Sequence, residues 1–341
     1  MSKTLLSVVI PIYNSQATIG QVLEAIFQST PKVNLEVILI DDGSKNISKI
    51  KKIKSKFPKN KLKLYRQKHL GPAIARNLGA KKARGKIIVF LDSDVIPESD
   101  CLSRIVNDFK KDNKLSALNG VYSKRPANPS FFTWYFSLFK YHQWVCSNIK
   151  DYTGFSTKLA AIKKDVFLNL GGLDGQYRDA LVEDYEFGYR LRNQKYKVLV
   201  DNQVCGAHFH PNFKQCFNNY YQRVYLWLKL FGQRKQFDNA TTTKSVGLAN
   251  GFGFLSLVTL PLALFYQTSI LFILPFIIAF TSFFILYAGF HMFVLKEKGL
   301  LWTIAAIITS LLLSIPLGLA FIKFILLDKL GFGSQSRQLS I

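Results

Sequence analysis

Two long stretches without a charged residue, Val246 to Leu295 and Gly299 to Ile322, constrain this chain more than any other feature of its 341 residues. A bilayer core asks for about 20 apolar residues per helix, so the two stretches supply three spans. They are drawn at about 248–267, 271–293 and 300–322. Pro261, Pro275 and Pro316 are tolerable there, because neighbouring helices can satisfy the backbone groups that a proline frees. The remainder alternates apolar patches with polar, basic segments. The expected organisation is a soluble domain in 1–235 and a transmembrane region in 236–341.

The formal charge is +24, and its distribution matters more than its sum. Lys45 to Lys86 carries sixteen Lys or Arg and no Asp or Glu, a field that attracts anionic headgroups or anionic substrates. Anionic membrane lipids are thus an expected partner. Nucleic acid is not, since the spans already supply an anionic surface and no base-reading motif is present. Cys101, Cys146, Cys205 and Cys216 lack paired spacing, which argues against a disulfide scaffold or a structural zinc site. Met1 to Ile10 lacks the features of a cleaved secretory leader. A soluble domain on the cytoplasmic face of an integral membrane protein is therefore expected. Three full spans set Lys296 to Lys298 on that face and Lys329 and Arg337 opposite, against the usual charge bias. A re-entrant third segment would remove the conflict.

Apolar runs at Leu5–Ile10, Leu35–Ile40, Leu62–Tyr65 and Ile87–Leu91 predict strands, and helical periodicity fills the gaps between them. Strands alternating with helices predict an α/β fold with a mostly parallel sheet. Ser116–Tyr122 and Tyr196–Val200 read as further strands, and Ala180–Asn193 as a helix burying Leu181, Tyr185, Gly188 and Leu191. The aromatic segment Phe131–Trp144 fits either a core helix or an interfacial one. Pro211–Gln236, aromatic and basic together, is expected to lie in the headgroup layer.

In parallel sheets ligands bind beyond the carboxyl ends of the strands, and two acidic clusters fall there. Asp92 and Asp94 flank Ser93 after the fourth strand, a spacing that suits Mg2+ or Mn2+ bridging phosphate oxygens. Asp41 and Asp42 follow the second strand, where they can cap a turn or meet a nucleotide base or ribose. A third pair, Glu183 and Asp184, opens the later helix and offers a general base for an acceptor hydroxyl. Arg76 can fork onto a phosphate or onto a carboxylate of the same site. His208 and His210 can each ligate a metal or bond a phosphate, and they read equally as an ordinary strand. Neither the glycine fingerprint of a nicotinamide fold nor the lysine of a phosphate loop is present, which weighs against dehydrogenase and ATPase classes.

These residues together resemble the family 2 glycosyltransferases, inverting enzymes of the GT-A fold. The resemblance runs through Val8-Val9-Ile10-Pro11-Ile12-Tyr13-Asn14, Asp41-Asp42-Gly43-Ser44, Ala75-Arg76-Asn77, Leu91-Asp92-Ser93-Asp94 and Glu183-Asp184-Tyr185-Glu186. It implies a nucleotide-sugar donor, UDP being the expected nucleotide, held by Pro11, Tyr13, Asp41, Asp42, Arg76, Asp92 and Ser93. It also implies a metal on Asp94 and Asp184 as catalytic base, with Glu183 beside it; Asp92 and His210 are further metal candidates on their own chemistry. A base points to a hydroxyl on a lipid-linked or glycan acceptor, more than to a polyprenyl phosphate that is already ionised. Gln222-Arg223 and Gln233-Arg234 lack the Gln-x-x-Arg-Trp pattern of polymerising members, so transfer of one or a few sugars is expected.

Overall fold

The computed structural model describes residues 5–146, 154–176, 182–234 and 243–330. The chain divides into two compact units, Met1–His210 and Pro211–Ile341. In the first, β1 (Leu6–Ile12), α1 (Ile19–Gln28), β2 (Leu35–Asp41), α2 (Ile47–Lys54), β3 (Leu62–Arg66), α3 (Pro72–Lys82) and β4 (Ile87–Leu91) alternate as predicted. Then come β5 (Val95–Pro97), α4 (Cys101–Lys111), β6 (Leu115–Tyr122) and α5 (Phe131–Tyr141). The unit continues through β7 (Leu159–Lys163), α6 (Lys164–Asn169), α7 (Glu183–Asn193) and β8 (Lys197–His208).

The strands form one sheet in the order β3-β2-β1-β4-β7-β6-β8-β5. β1 to β4 are mutually parallel, β6 and β8 are parallel to each other, and β7 and β5 run against their neighbours. Apolar side chains pack on both faces. Val8, Ile10, Leu39 and Val89 meet α1 and α4 on one side, while Val9, Ile38, Ile40 and Phe90 meet α3, α6 and α7 on the other. A strand buried on both faces reads as an unbroken apolar run, which is why β1, β2 and β4 were recognisable.

β5, α4, β7 and α6 are elements beyond those that the apolar runs predict. β7 is Leu-Ala-Ala-Ile-Lys, too short and too rich in alanine to signal a strand by composition. β8 runs to His208 rather than ending at Val200, because Val95, Ile96 and Pro97 pair with His208, Ala207 and Gly206. The helix expected from Ala180 begins at Glu183; Ala180 and Leu181 lie outside the described residues. Gly188 and Leu191 are buried as expected, whereas Tyr185 is half-buried and Phe187 takes the core position. On α5 and the turn after it, Tyr135, Phe136, Leu138, Phe139 and Trp144 are buried, the core alternative of the two left open.

In the second unit α8 (Phe213–Arg234) precedes three long apolar helices, α9 (Lys244–Phe265), α10 (Ile270–Lys298) and α11 (Leu300–Phe324). These match the three expected spans and have the length and composition to cross a membrane. Their outward residues are apolar, as lipid-facing surface must be: Phe265, Leu271 and Leu301 are the most exposed large apolar side chains among the described residues. Small residues let the helices approach, with Gly253 against Phe283 and Ser314, and Asn250 Nδ2 donates to Tyr287 Oη across the α9–α10 contact at 2.9 Å. α11 is continuous and shows no re-entrant break, and its end packs on α8 through a Lys229–Asp328 ion pair at 3.1 Å.

Candidate active site

The carboxyl ends of β2 and β4, with the loops that follow them, carry the first two acidic clusters. Asp41 and Asp42 are almost wholly occupied by their own surroundings. Asp41 Oδ1 accepts from Ser44 N at 3.1 Å and Oδ2 lies 3.1 Å from Arg66 Nε. Asp42 Oδ1 accepts from Gln67 Nε2 at 2.7 Å and Leu70 N at 2.9 Å; its Oδ2 accepts from Gly71 N at 2.9 Å and lies 2.9 Å from His69 Nδ1. Together these bonds pin the loop between β3 and α3. His69 stacks in turn on Tyr13, which stands half exposed beyond β1 with ring centroids 4.1 Å apart. Pro11 lies within β1, paired with Ile40.

Arg76 sits in the middle of the second and third clusters. Its Nη2 donates to Asp92 Oδ1 at 2.6 Å and its Nη1 to Glu183 Oε1 at 3.2 Å. Burial opposes the guanidinium charge, but Asp92, Glu183 and Asp184 outweigh it and hold the Arg76 pKa above its ordinary value. Two close approaches put it there. One turn along α3, a Cβ on Gly79 would come within 2.2 Å of Val9 Cγ1, so the helix lies tight against β1. On α7, a Cβ on Gly188 would come within 2.5 Å of Gly154 Cα, so that helix also packs backbone to backbone. Asn77 completes the motif by clamping Leu173, its Nδ2 donating to the carbonyl at 2.7 Å and its Oδ1 accepting from the amide at 2.9 Å. Among the described residues Arg76 Nε has no acceptor.

Asp94 is differently placed. Its side chain is 42% exposed, and its Oδ2 lies 3.4 Å from His208 Nε2. The β5–β8 pairing brings them together, reinforced by Phe209 N donating to Asp94 O at 2.9 Å. His210, the histidine chosen from sequence, lies behind His208: its Nδ1 is 2.8 Å from His208 Nδ1 and its Nε2 is 2.9 Å from Ser137 Oγ. Burial, followed by the charges of His208, Lys140 and Lys158, pushes the His210 pKa down to about 2. His208 stacks on Tyr122 with centroids 4.5 Å apart, and Lys158 Nζ lies over the Tyr122 ring, 4.3 Å from its centroid. Ser93 Oγ is 2.8 Å from Ser15 Oγ, joining the loops after β1 and β4. Ser137, Tyr122 and Lys158 carried no sequence signal, since a serine in a helix and an isolated tyrosine or lysine are unremarkable in any chain.

The donor set can be tested against a divalent ion. Adjacent ligands of an octahedral ion with bonds of about 2.1 Å lie about 3 Å apart, close to the spacing of Asp94 Oδ2 and His208 Nε2. An imidazole nitrogen beside a carboxylate favours Mn2+ over Mg2+, which prefers oxygen throughout. Among the described residues no three His, Cys, Asp or Glu side chains cluster as a self-sufficient metal site. The pair therefore fits an ion whose remaining ligands come from substrate and water.

Residues 7–169 match the family model described as Glycosyl transferase family 2. An uncharacterized glycosyltransferase of Haemophilus influenzae is 40% identical over 126 residues, 36% of this chain and 49% of that protein. A Methanococcus voltae protein, dolichyl N-acetyl-alpha-D-glucosaminyl phosphate 3-beta-D-2,3-diacetamido-2,3-dideoxy-beta-D-glucuronosyltransferase, is 24% identical over 226 residues, 60% of this chain and 66% of its own. The chain spans half or less of the length of the first four curated relatives it matches. A mannosyltransferase of Pyrobaculum calidifontis, solved with GDP-Man and Mn2+, shares the fold with a TM-score of 0.58 at 18% identity, over 96% of this chain and 89% of that one. Through residues 7–169 the chain thus resembles glycosyl transferase family 2, and it combines a GT-A-like fold with three helices long and apolar enough to anchor it in a membrane.

Proposed function

We propose that this protein transfers a sugar, with inversion, from a nucleotide diphosphate sugar to a hydroxyl of a lipid-linked or glycan acceptor at the cytoplasmic face of a membrane. The observation that carries the reading is the bridge through Arg76, which ties Asp92 to Glu183 and so sets Asp184 in the same charged constellation. Asp94 and His208 would hold Mn2+ or Mg2+, and when bound the ion would neutralise the diphosphate as it leaves. Arg76 keeps Asp92 oriented, and its own charge offsets the carboxylates gathered there.

Asp184 takes the proton of the acceptor hydroxyl. The new bond forms between that oxygen and the anomeric carbon. The bond from that carbon to the donor phosphate breaks, and its electron pair leaves with the nucleoside diphosphate. Asp184 is half-buried, and its Oδ1 accepts from Tyr185 N at 2.9 Å. The Methanococcus voltae relative's name describes a sugar carried on dolichyl phosphate, a substrate that offers such a hydroxyl.

The test is sugar transfer from labelled nucleotide sugars by wild type and Asp184→Asn, both shown to be folded. A loss of about 10²–10⁴-fold is expected for the variant, the usual contribution of a general base. Transfer unchanged in Asp184→Asn overturns the assignment. Transfer to polyprenyl phosphate and to no hydroxyl acceptor would move the protein to the lipid-phosphate class.

A further inference from the structure

We infer that Ser137 and His210 form a hydrogen-bond relay that sets the tautomer of His208, so that its Nε2 lone pair faces the cation held with Asp94. The inference rests on the metal reading given above.

The relay starts at a fixed end. Ser123 O is a carbonyl and can only accept, and Ser137 Oγ lies 3.3 Å from it. Ser137 Oγ is 2.9 Å from His210 Nε2, and His210 Nδ1 is 2.8 Å from His208 Nδ1. The chain of atoms is buried: Ser137, His210 and Ser123 are all nearly inaccessible. It is also held still. Asn128 grips the His210 backbone from both sides, accepting from its N–H and donating to its carbonyl at 2.9 Å each, while Tyr122 packs against both imidazoles and Phe136 sets an edge against that of His210.

Two neutral rings joined through their Nδ1 atoms share one proton between them, so the protons have two possible orders. In the first, His208 Nδ1–H donates to His210 Nδ1, His210 Nε2–H donates to Ser137 Oγ, and the Ser137 hydroxyl donates to Ser123 O. His208 Nε2 then carries a lone pair toward Asp94, the state a metal ligand needs. In the second order every proton is reversed. Ser137 donates to His210 Nε2, His210 Nδ1–H donates to His208 Nδ1, and His208 Nε2–H points at the Asp94 carboxylate.

Both orders conserve charge. Only a hydroxyl can donate in one and accept in the other, and that is the group found between His210 and Ser123. Ser137 and His210 are thus positioning residues. Without the hydroxyl, the buried His210 Nε2–H has no acceptor, and the ring is driven to the order that leaves His208 unable to bind a cation.

The experiment uses the full chain in detergent and Mn2+ alone, with free Mn2+ read from its electron paramagnetic resonance signal. Thermal melting of each variant confirms the fold. Ser137→Ala and His210→Leu should weaken Mn2+ binding about 10–100-fold, as loss of an orienting partner does. His210→Gln, whose amide oxygen can accept from His208 Nδ1–H, should keep most of the affinity, and Asp94→Asn should lose it. If Ser137→Ala does not fold, the His210→Leu and His210→Gln pair decides. Wild-type affinity in the folded Ser137→Ala and His210→Leu variants, with Asp94→Asn inactive in binding, overturns the relay and leaves the metal reading standing. Unchanged binding by Asp94→Asn overturns the metal reading itself.

Discussion

Two pairs of aspartates stand at the ends of β2 and β4, the strands on either side of β1, and fare differently. Asp42, after β2, is 4% exposed and receives donors on both oxygens from a single loop. Asp94, after β4, is ten times as open and faces one imidazole. The residue type and the strand-end position are the same. What differs is whether the following chain folds back over the carboxylate: residues 67–71 close on Asp42, whereas β5 leads the chain away from Asp94. A carboxylate already satisfied by an adjoining loop shapes the rim, and one left open is available to a ligand.

The sharpest way to break this comparison is to neutralise each in turn. Asp94→Asn should lower metal-dependent transfer by about 10²–10³-fold, the scale for removing one electrostatic stabiliser, and leave thermal melting unchanged. Equal transfer by the variant and wild type would put the metal elsewhere. Asp42→Asn should do the reverse in kind. With two of its charge-assisted bonds weakened and an amide NH2 turned on donors, it should cost about 2–4 kcal/mol. That amounts to a melting temperature lower by about 5 °C or more. A variant that melts normally but no longer binds nucleotide would instead make Asp42 a direct donor contact.

A further carboxylate pair, Asp108 and Asp201, sharpens the rule with a smaller effect. Asp108, on α4, is pushed up to about 6 by burial, by a hydrogen bond with Asp201 and by that neighbour's charge. A carboxyl raised in the folded state holds its proton more tightly than the unfolded chain does. Its favourable contribution is therefore present below about pH 4 and is lost as pH rises toward 6. Asp108→Asn should accordingly raise the melting temperature by a degree or two at pH 7.5 and make no difference at pH 4. A larger gain at the acid end would reverse the sign and sink the argument.

Much of the site was legible because its parts obey short-range rules. Asp41, Asp42, Asp92 and Asp94 follow apolar strands, and the link between a strand's end and its ligand-binding loop is local in sequence. Arg76 was read as a fork onto a phosphate or carboxylate, and the carboxylate alternative is realised with Asp92 and Glu183. The choice between His208 and His210 was not legible. Two residues that alternate along a strand have the same spacing signal, and only the partner strand decides which nitrogen meets Asp94. β5 is three residues long and pairs with residues more than a hundred positions away, so nothing near it in the chain announces it.

By itself the amino-acid order determined the layered α/β unit, the strand-end acidic clusters and the three apolar helices, since each depends on burial patterns repeating every two to four residues. Tertiary structure alone decided which carboxylates are spent on loops, which histidine faces Asp94, and how Ser137 stands behind it. Those outcomes depend on distances between segments far apart in the chain, and such distances are set by packing rather than by neighbours in sequence.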